Sequence, residues 1–416
     1  MATPGSSASR SASSRSSAAG SSRRRERNTS GASSIEQLSA AKEILISVGS
    51  GGVGKTTTAA AIAAQAAVEL GGKVLVLTVD PAKRLANALG LERFGNTETR
   101  VGVETFQEMG ITPRGELWAA MLDTKQSWDD LIVRHAPDPG TRDAILANPL
   151  YQNLTGKFVQ SHDYVAMERL YEIHSSGRYD LIVVDTPPTR NAVDFLDAPE
   201  RMAEFFSSRL LRWLIAPYRS KVVNMASKPF YAVADRILGS QFLADIAEFF
   251  ILFQTMQEGF VARSQSVAKL LEGPATSFVV VSTLEAAPSH EAAYFMELLN
   301  DRKMSVGALV LNKVLPGYLV DRDGARAAKV FETAAAELAA AVTGRPGLSA
   351  AHSVELTRML AELGENFENY SVVAKREAEQ RAELSRLADV VATVPYFDHD
   401  IADMVGLLRL GEQIWR

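Results

Sequence analysis

Cysteine is absent from this chain of 416 residues. Its absence excludes disulfide bonds, thiolate metal sites, iron–sulfur clusters and catalytic cysteines, and it favours an intracellular protein over a secreted one. Long hydrophobic runs are missing as well: no apolar stretch reaches the roughly 18 residues that cross a bilayer, and no signal-peptide core follows the first methionine. We therefore expect a cytoplasmic protein, whose contact with a membrane would be peripheral.

An excess of positive charge is also lacking, because the net charge of the chain is −5. Such a balance gives no general footprint for nucleic acid, so we expect no nucleic-acid partner. The charge is uneven, since residues 1–34 hold six arginines, one glutamate and thirteen serines but no leucine, isoleucine, valine or aromatic residue. With nothing to bury, residues 1–34 are predicted to be a disordered Ser/Arg-rich tail, either a solvated spacer or an electrostatic tether. An organellar transit peptide would need an amphipathic apolar face, which this segment does not have.

Short apolar runs separated by helical patterns organise the rest of the chain. The run Ile44–Val48 ends at a glycine cluster, the alanine-rich stretch Thr56–Leu70 has the pattern of a helix, and Lys73–Val79 is a second strand of the buried type. Strand, turn, helix and strand form a βαβ unit, which predicts a parallel sheet. Further strands of this type are predicted at Tyr179–Val184, Ser277–Ser282, Ala308–Leu311 and Val390–Val394.

The spacing of these strands predicts one large α/β domain that is assembled from both ends of the chain. Residues 35–416 are expected to form a three-layer structure with a mostly parallel sheet. Helical subdomain insertions are expected at about 107–175 and 199–272. Residues 319–390 are also expected to be helical, with a break at the Gly-Arg-Pro-Gly sequence of 344–347.

Glycines and a lysine at fixed spacing follow the first predicted strand. Gly49 to Thr56 reads G-S-G-G-V-G-K-T, which fits G-x-x-x-x-G-K-[ST] between a strand and a helix. The glycines let backbone N–H groups surround a polyphosphate, Lys55 meets its β and γ phosphates, and the Thr56 hydroxyl is a ligand for Mg²⁺. The sequence therefore predicts a P-loop NTPase fold with ATP and Mg²⁺ as cofactors. The nucleotide-binding residues predicted here are Gly49, Ser50, Gly51, Gly52, Val53, Gly54, Lys55, Thr56 and Thr57.

Two aspartates stand at the ends of predicted strands. Asp185 ends an apolar strand, where a carboxylate can hold a water on the Mg²⁺ bound by Thr56. Asp80 ends the second strand, from which it can face the γ phosphate and orient the attacking water. Each aspartate has an alternative role as the N-cap of a following helix. We predict Asp80 and Lys55 as catalytic residues, and Thr56, Asp80 and Asp185 as the metal site.

The order of these motifs resembles that of the ArsA-type anion-transporting ATPase family, which includes arsenite-pump ATPases and ATPases that target tail-anchored proteins. The resemblance spans roughly residues 42–410 and includes three early segments and three later landmarks. These are Gly49–Thr57, Thr78–Leu85, Asp185–Ala192, Ser282–Glu285, Asn312 and Val394–Asp398.

The resemblance implies a role for several residues. It implies that Asp80 belongs to switch I, that Asp185 opens switch II and that Asn312 contacts the adenine. It implies that the loop with Pro395 and Phe397 lines the base pocket. It also implies hydrolysis of ATP to ADP and phosphate by a dimer that holds nucleotide at its interface.

Ser50 departs from the pattern of the family it resembles. Family members usually carry a lysine at this position, which reaches the nucleotide of the partner subunit, and serine cannot supply that charge. We therefore hypothesise a heterodimer with a lysine-bearing paralogue, a pairing expected of bacterial relatives. Lys83 and Arg84 could replace the missing charge within the same chain, or they could simply begin a solvated helix.

The missing cysteines are a second departure. The metalloid-binding thiols of arsenite pumps and the zinc-binding cysteine pair of targeting ATPases have no counterpart, so activation by arsenite is not expected. The six histidines show no i,i+4 pair or other ligand cluster, so the only metal expected is nucleotide-bound Mg²⁺.

Phenylalanine is concentrated in the second predicted insertion, since eight of seventeen lie within residues 205–260. Residues at helical spacing include Phe242, Ile246, Phe249, Phe253, Met256 and Phe260. The pattern has two interpretations: a helical subdomain with its own core or dimer surface, or a groove for a hydrophobic client helix.

Three functions are consistent with the sequence. The first is a nucleotide-switched ATPase that handles a hydrophobic client or a membrane partner. The second is the energising subunit of an anion pump. The third is a weakly hydrolysing regulatory partner of a lysine-bearing paralogue.

Overall fold

A computed structural model gives the fold of the chain. It describes residues 32–79, 83–91, 95–154, 159–187, 240–343 and 350–415, together with the short pieces 196–198, 200–201 and 204.

Eight strands form one sheet in the order β3-β4-β2-β5-β1-β6-β7-β8. Every neighbouring pair is parallel except β3 and β4, which are antiparallel. The three-layer, mostly parallel α/β fold predicted from the sequence is confirmed. The strands are β1 Ile44–Val48, β2 Gly72–Thr78, β3 Thr99–Arg100, β4 Gly115–Met121, β5 Leu181–Asp185, β6 Thr276–Ser282, β7 Val306–Val314 and β8 Val391–Pro395.

Within the described residues, a short 3-10 helix at Gly317–Val320 accompanies the sheet, which is surrounded by fifteen α-helices. They are α1 Ile35–Ala41, α2 Lys55–Glu69, α3 Lys83–Ala88, α4 Val103–Gln107, α5 Thr124–His135, α6 Pro139–Ala147, α7 Pro149–Leu154, α8 Val159–Ser175, α9 Ser240–Gln254, α10 Gln257–Glu272, α11 Ala286–Asp301, α12 Arg322–Thr333, α13 Ala335–Thr343, α14 Ala350–Leu384 and α15 Met404–Trp415. None of them combines the length and apolar character that a membrane span requires.

Apolar side chains cover both faces of the sheet. On one face the alanine-rich α2 is buried along most of its length and packs against α15, whose Trp415 is 3% exposed. On the other face α8, α10 and α11 cover the strands, with Met167 and Phe295 fully buried. All five residues of β1 are buried, which is why the central strand reads as a continuous apolar run in the sequence.

The observed sheet differs from the prediction at one edge. β4, with its short partner β3, lies inside or just before the segment at about 107–175 that the sequence analysis describes as a helical insertion. Apart from the short helix Val103–Gln107 before β4, the helical material of this segment therefore begins at Thr124. The sequence of β4 mixes Gly115, Glu116 and Trp118 with alanines, so it lacks the β-branched run that marks the central strands.

A separate aromatic core holds the helical unit, which we define as α5 to α10. Its buried residues include Trp128, Tyr164, Phe253 and Phe260, and the rings of Phe253 and Phe260 are stacked with centroids 5.8 Å apart. Phe249 is also buried. The apolar residues predicted at helical spacing thus lie on two successive helices, α9 and α10, or at the N-cap of α10, and Phe249, Phe253, Met256 and Phe260 belong to this core. Residues 205–239 and the side chain of Phe242 lie outside the described part.

The chain start shifts one predicted boundary. The side chain of Ser34 accepts a hydrogen bond from the Gln37 backbone N–H and caps α1, so Ser34 belongs to the folded domain and not to the tail predicted at 1–34. At the other end, α12, α13 and the 35-residue α14 pack together as the helical stretch expected between 319 and 390.

Candidate nucleotide site

The loop between β1 and α2 has the backbone conformation of a phosphate cradle. Gly52 and Gly54 have φ values of 80° and 99°, in the left-handed region that favours glycine. A Cβ atom on Gly54 would overlap the side-chain amide of Asn312, so a larger residue would push that amide away. The loop ends at Gly54, the N-cap of α2, where the first backbone N–H groups of a helix and its dipole attract anions.

Lys55 lies at the first position of α2 and is 7% exposed. Its Nζ donates a hydrogen bond to the backbone carbonyl of Ser50 at 2.9 Å, so the ammonium group crosses the loop. The Ser50 hydroxyl in turn donates to Glu291 Oε2 at 2.6 Å. A carboxylate from α11 is therefore held against the loop, and this contact was not predicted from the sequence.

A buried carboxylate and two hydroxyl groups meet beside the loop. Asp185, at the end of β5, is 0% exposed, and its Oδ2 accepts hydrogen bonds from Thr56 at 2.6 Å and from Thr78 at 3.0 Å. The sheet brings these groups together because β1 and β2 both pair with β5 in parallel. The Thr186 hydroxyl also donates to the Ser47 carbonyl at 2.8 Å, which fixes the chain just beyond Asp185.

Asn312 connects the end of β7 to the same loop. Its Nδ2 donates to the Val53 carbonyl at 2.8 Å, and its Oδ1 accepts from the backbone N–H of Lys313 at 2.9 Å. Lys313 has a φ of 58°, which is uncommon for a residue with a side chain. Lys313 lies within β7, where the pairing with β8 shifts register between Leu311 and Val314, so the positive φ belongs to an irregularity of the strand next to Asn312.

A cavity of about 990 Å³ joins the loop to the segment after β8. The predicted residues that line it are Gly51, Gly52, Gly54, Lys55, Thr56, Thr57, Asn312, Pro395 and Phe397. Gly49, Ser50 and Val53 are buried and do not line the cavity, and Asp80 lies outside the described residues. Leu85 and Tyr396, which belong to the segments Thr78–Leu85 and Val394–Asp398 of the resemblance, also line it. Asn87, Ala88, Lys313 and His399 were not predicted, because nothing in their local pattern marks them.

The residues present fit ATP and Mg²⁺. The loop has glycine at positions 49 and 54, where a Cβ atom would overlap Val281 and Asn312. The cavity is of the size that binds a small ligand. The Thr56 hydroxyl and the Asp185 carboxylate are oxygen ligands of the kind that Mg²⁺ prefers.

A polar cavity of about 370 Å³ lies between α5, α8 and α10, within the helical unit. Glu168 is buried there in an ion pair with Arg263 and accepts a hydrogen bond from the Tyr164 hydroxyl at 3.1 Å. Burial raises the pKa of Glu168 above its usual range in spite of Arg263. Burial, with help from Arg263 and Arg134, lowers the pKa of His135 in the same cavity.

Comparison with known proteins gives a family model and several relatives. The model described as anion-transporting ATPase matches residues 42–332, more than half of the chain. An ATPase named get3 from Aspergillus terreus is 25% identical over 269 residues, which cover 64% of this chain and 72% of that protein. A protein of Aquifex aeolicus named as an arsenical pump-driving ATPase is 24% identical over 278 residues, 64% of this chain and 79% of the relative. An uncharacterized protein of Streptomyces coelicolor is 30% identical over 280 residues, 65% of this chain and 62% of the relative.

Proposed function

The chain belongs to the anion-transporting ATPase family and is an ATPase, and from this premise we propose that it works as a nucleotide-switched dimer that couples ATP binding and hydrolysis to a hydrophobic client or a membrane partner. The observation that carries the proposal is the hydrogen bond from Thr56 to Asp185. It joins the nucleotide loop to the end of β5, where the resemblance implies that switch II begins.

The proposed chemistry assigns a task to each residue of the site. Lys55 and the N-terminus of α2 bind the β and γ phosphates and stabilise the negative charge that develops as the terminal bond breaks. Mg²⁺, held through Thr56 and Asp185, would neutralise phosphate charge in the bound complex. Asp80 is proposed to orient the attacking water from the neighbouring strand. Asn312 and the loop with Pro395 and Phe397 are proposed to hold the base.

The path from the site to the helical unit supports the switch. Beyond Asp185, the Thr186 hydroxyl bonds to β1, and the described residues that follow include Leu196 and Asp197. Leu196 is buried in the core beside the sheet, and Asp197 forms an ion pair with Arg302 at the end of α11. Thr186 is thus bonded to β1 and Asp197 to Arg302 beside α11, which supports the proposal that a change at Asp185 acts first on these contacts.

The client is tested by nucleotide-dependent capture of an apolar peptide. Phe249 and Phe253 are 7% and 4% exposed, so glutamate at these positions would unfold the helical unit rather than probe a surface. We instead expect a labelled transmembrane-type peptide to crosslink to the intact protein with ATP and to be released with ADP. A peptide of the same length with lysines replacing alternate leucines is the control. Equal crosslinking in both nucleotide states would contradict the switch.

The partner is tested separately through Ser50. We expect the chain alone to hydrolyse ATP slowly, and a lysine-bearing paralogue to form a heterodimer with it and to raise its turnover. A Ser50→Lys side chain would meet Glu291 of its own chain, to which Ser50 donates now. The informative variant is thus Ser50→Lys with Glu291→Gln. A lack of gain in self-association or turnover for this double variant, with and without the paralogue, would count against the trans-lysine hypothesis.

A second candidate function is the energising subunit of an anion pump. It is favoured by the relative from Aquifex aeolicus, whose name assigns it to an arsenical pump. Isolation of the chain from its native cell should then recover an integral membrane protein that binds in an ATP-dependent manner. Recovery of the paralogue alone would favour the regulatory role.

A further inference from the structure

A carboxylate at the wall of a phosphate loop is unexpected, because it repels the polyphosphate that the loop binds. Glu291 is in this position, on the second turn of α11, and it accepts the Ser50 hydroxyl at 2.6 Å. The contact follows from the sheet: β1 leads into the loop, β6 leads towards α11, and the two strands pair with Val48 opposite Val280.

Ser50 transmits this contact to Lys55. Its hydroxyl donates to Glu291, while its backbone carbonyl accepts from Lys55 Nζ at 2.9 Å. Ser50 and Lys55 are 8% and 7% exposed, so water has little access to either bond. A short hydrogen bond to a charged acceptor is stronger than a neutral one, and it fixes the residue whose carbonyl orients the ammonium group.

We propose that Glu291 is a positioning residue for ATP hydrolysis, which acts through Ser50 to hold Lys55 across the phosphate loop. Two properties of Glu291 have separate consequences. Its oxygen atom is the acceptor that fixes Ser50, and its negative charge weakens nucleotide binding. Glutamine keeps an acceptor oxygen and removes the charge, whereas alanine removes both.

The test is steady-state ATP hydrolysis by the full chain with Glu291→Ala, Glu291→Gln and Ser50→Ala. Loss of one charge-assisted hydrogen bond predicts that Glu291→Ala lowers kcat about tenfold. Ser50→Ala removes the same bond from its other end and should lower kcat to a similar degree. The double variant should be no slower than either single variant, because one interaction is removed only once.

Glu291→Gln separates positioning from charge. It should keep most of kcat and lower the KM for ATP, while Glu291→Ala lowers kcat with a smaller change in KM. Glu297, on the same helix and exposed, provides the matched control: Glu297→Ala and Glu297→Gln should leave kcat and KM unchanged. Thermal unfolding of every variant identifies any that fail to fold, and Ser50→Ala and Glu291→Gln still test the proposal if Glu291→Ala is unstable.

Three outcomes would overturn the proposal. The first is wild-type kcat in both Glu291→Ala and Ser50→Ala. The second is additive loss in the double variant, since additivity means that the two residues act independently. The third is a kcat in folded Glu291→Gln as low as in Glu291→Ala, because the acceptor oxygen would then have no positioning role.

Discussion

The nucleotide edge of the sheet and the helical unit are held together by different forces. At the nucleotide edge, hydrogen bonds of 2.6 to 3.0 Å fix Ser50, Lys55, Thr56 and Asp185. In the helical unit, aromatic rings with centroids 4.5 to 6.5 Å apart fill a core between helices from distant parts of the chain. Hydrogen bonds specify one geometry, whereas apolar burial is non-directional. The two regions should therefore respond differently to substitution: loss of a hydrogen bond at the nucleotide edge should affect catalysis, and loss of apolar volume in the helical unit should affect stability.

The sharpest separation of the two regions is expected from Lys55→Ala. Loss of the charge that stabilises the transferring phosphate should reduce kcat by roughly 1000-fold. The helical unit should stay folded, with a wild-type melting transition. Lys125→Ala, on the exposed surface of α5, is the control and should affect neither quantity. A kcat of Lys55→Ala near that of the wild type would show that the ammonium group does not stabilise the transferring phosphate.

Asp185→Asn should have a smaller effect on the same region. Loss of the carboxylate charge beside Thr56 should lower kcat/KM by roughly 100-fold and raise the Mg²⁺ concentration for half-maximal activity. Asp180→Asn, at the exposed opposite end of β5, is the matched control. An unchanged Mg²⁺ dependence in Asp185→Asn would exclude this carboxylate from the metal site. For both variants, kcat/KM and the Mg²⁺ dependence are obtained from phosphate release measured over a series of Mg²⁺ concentrations.

The helical unit is tested by two neighbouring residues of α5. Ile132 is 0% exposed and belongs to the aromatic core, whereas Val133 is 53% exposed. Ile132→Ala should lower the free energy of unfolding by about 2.5 kcal/mol, because it leaves a cavity, while Val133→Ala should change it by less than about 0.5 kcal/mol. Urea denaturation measures both. If nucleotide affinity falls in parallel with stability in Ile132→Ala, the two regions are not separate in the way described above.

The smallest expected effect is a pH dependence that arises in the polar cavity of the helical unit. The pKa of His135 is lowered in the folded protein, so the folded protein binds a proton at this residue less readily than the unfolded chain does. Stability should therefore fall as pH drops through about 6.5, the ordinary value for histidine. Between pH 7.5 and pH 5.5 the melting temperature of His135→Gln should therefore fall less than that of the wild type. The difference should be on the order of what the titration of one group can produce. The control is the substitution His290→Gln at an exposed histidine. If the melting temperatures of His135→Gln and of the wild type fall by the same amount, His135 is not the source of the pH dependence.

The sequence predicted the parts of the fold that local patterns determine. The helix expected at Thr56–Leu70 runs from Lys55 to Glu69, and the five central strands lie within a few residues of their predicted bounds. These segments are buried on both sides, so their composition is nearly sufficient to identify them. β4, the strand next to the edge strand β3, has mixed composition, and it was not distinguished from the helices that follow it.

The candidate site was predictable to the same extent. The loop from Gly49 to Thr57 is contiguous, and its spacing carries the chemistry directly. Glu291 could not be found this way, because it is one glutamate on an ordinary amphipathic helix and only the pairing of β1 with β6 brings it to Ser50. Contacts that depend on strand order have no signature in a local window of sequence.

The position of β1 in the sheet also constrains the protein while it is being made. β1 lies between β5 and β6, and Ile44 pairs with Ile182 on one side and with Thr276 on the other. At about 5–20 residues per second, a ribosome needs roughly 10 to 50 seconds to travel from β1 to β6. The loop with Lys55 therefore leaves the ribosome long before the strand and the asparagine that complete its surroundings. A nascent chain should therefore acquire ATP binding late and abruptly, and until β6 emerges one edge of its apolar central strand has no partner strand.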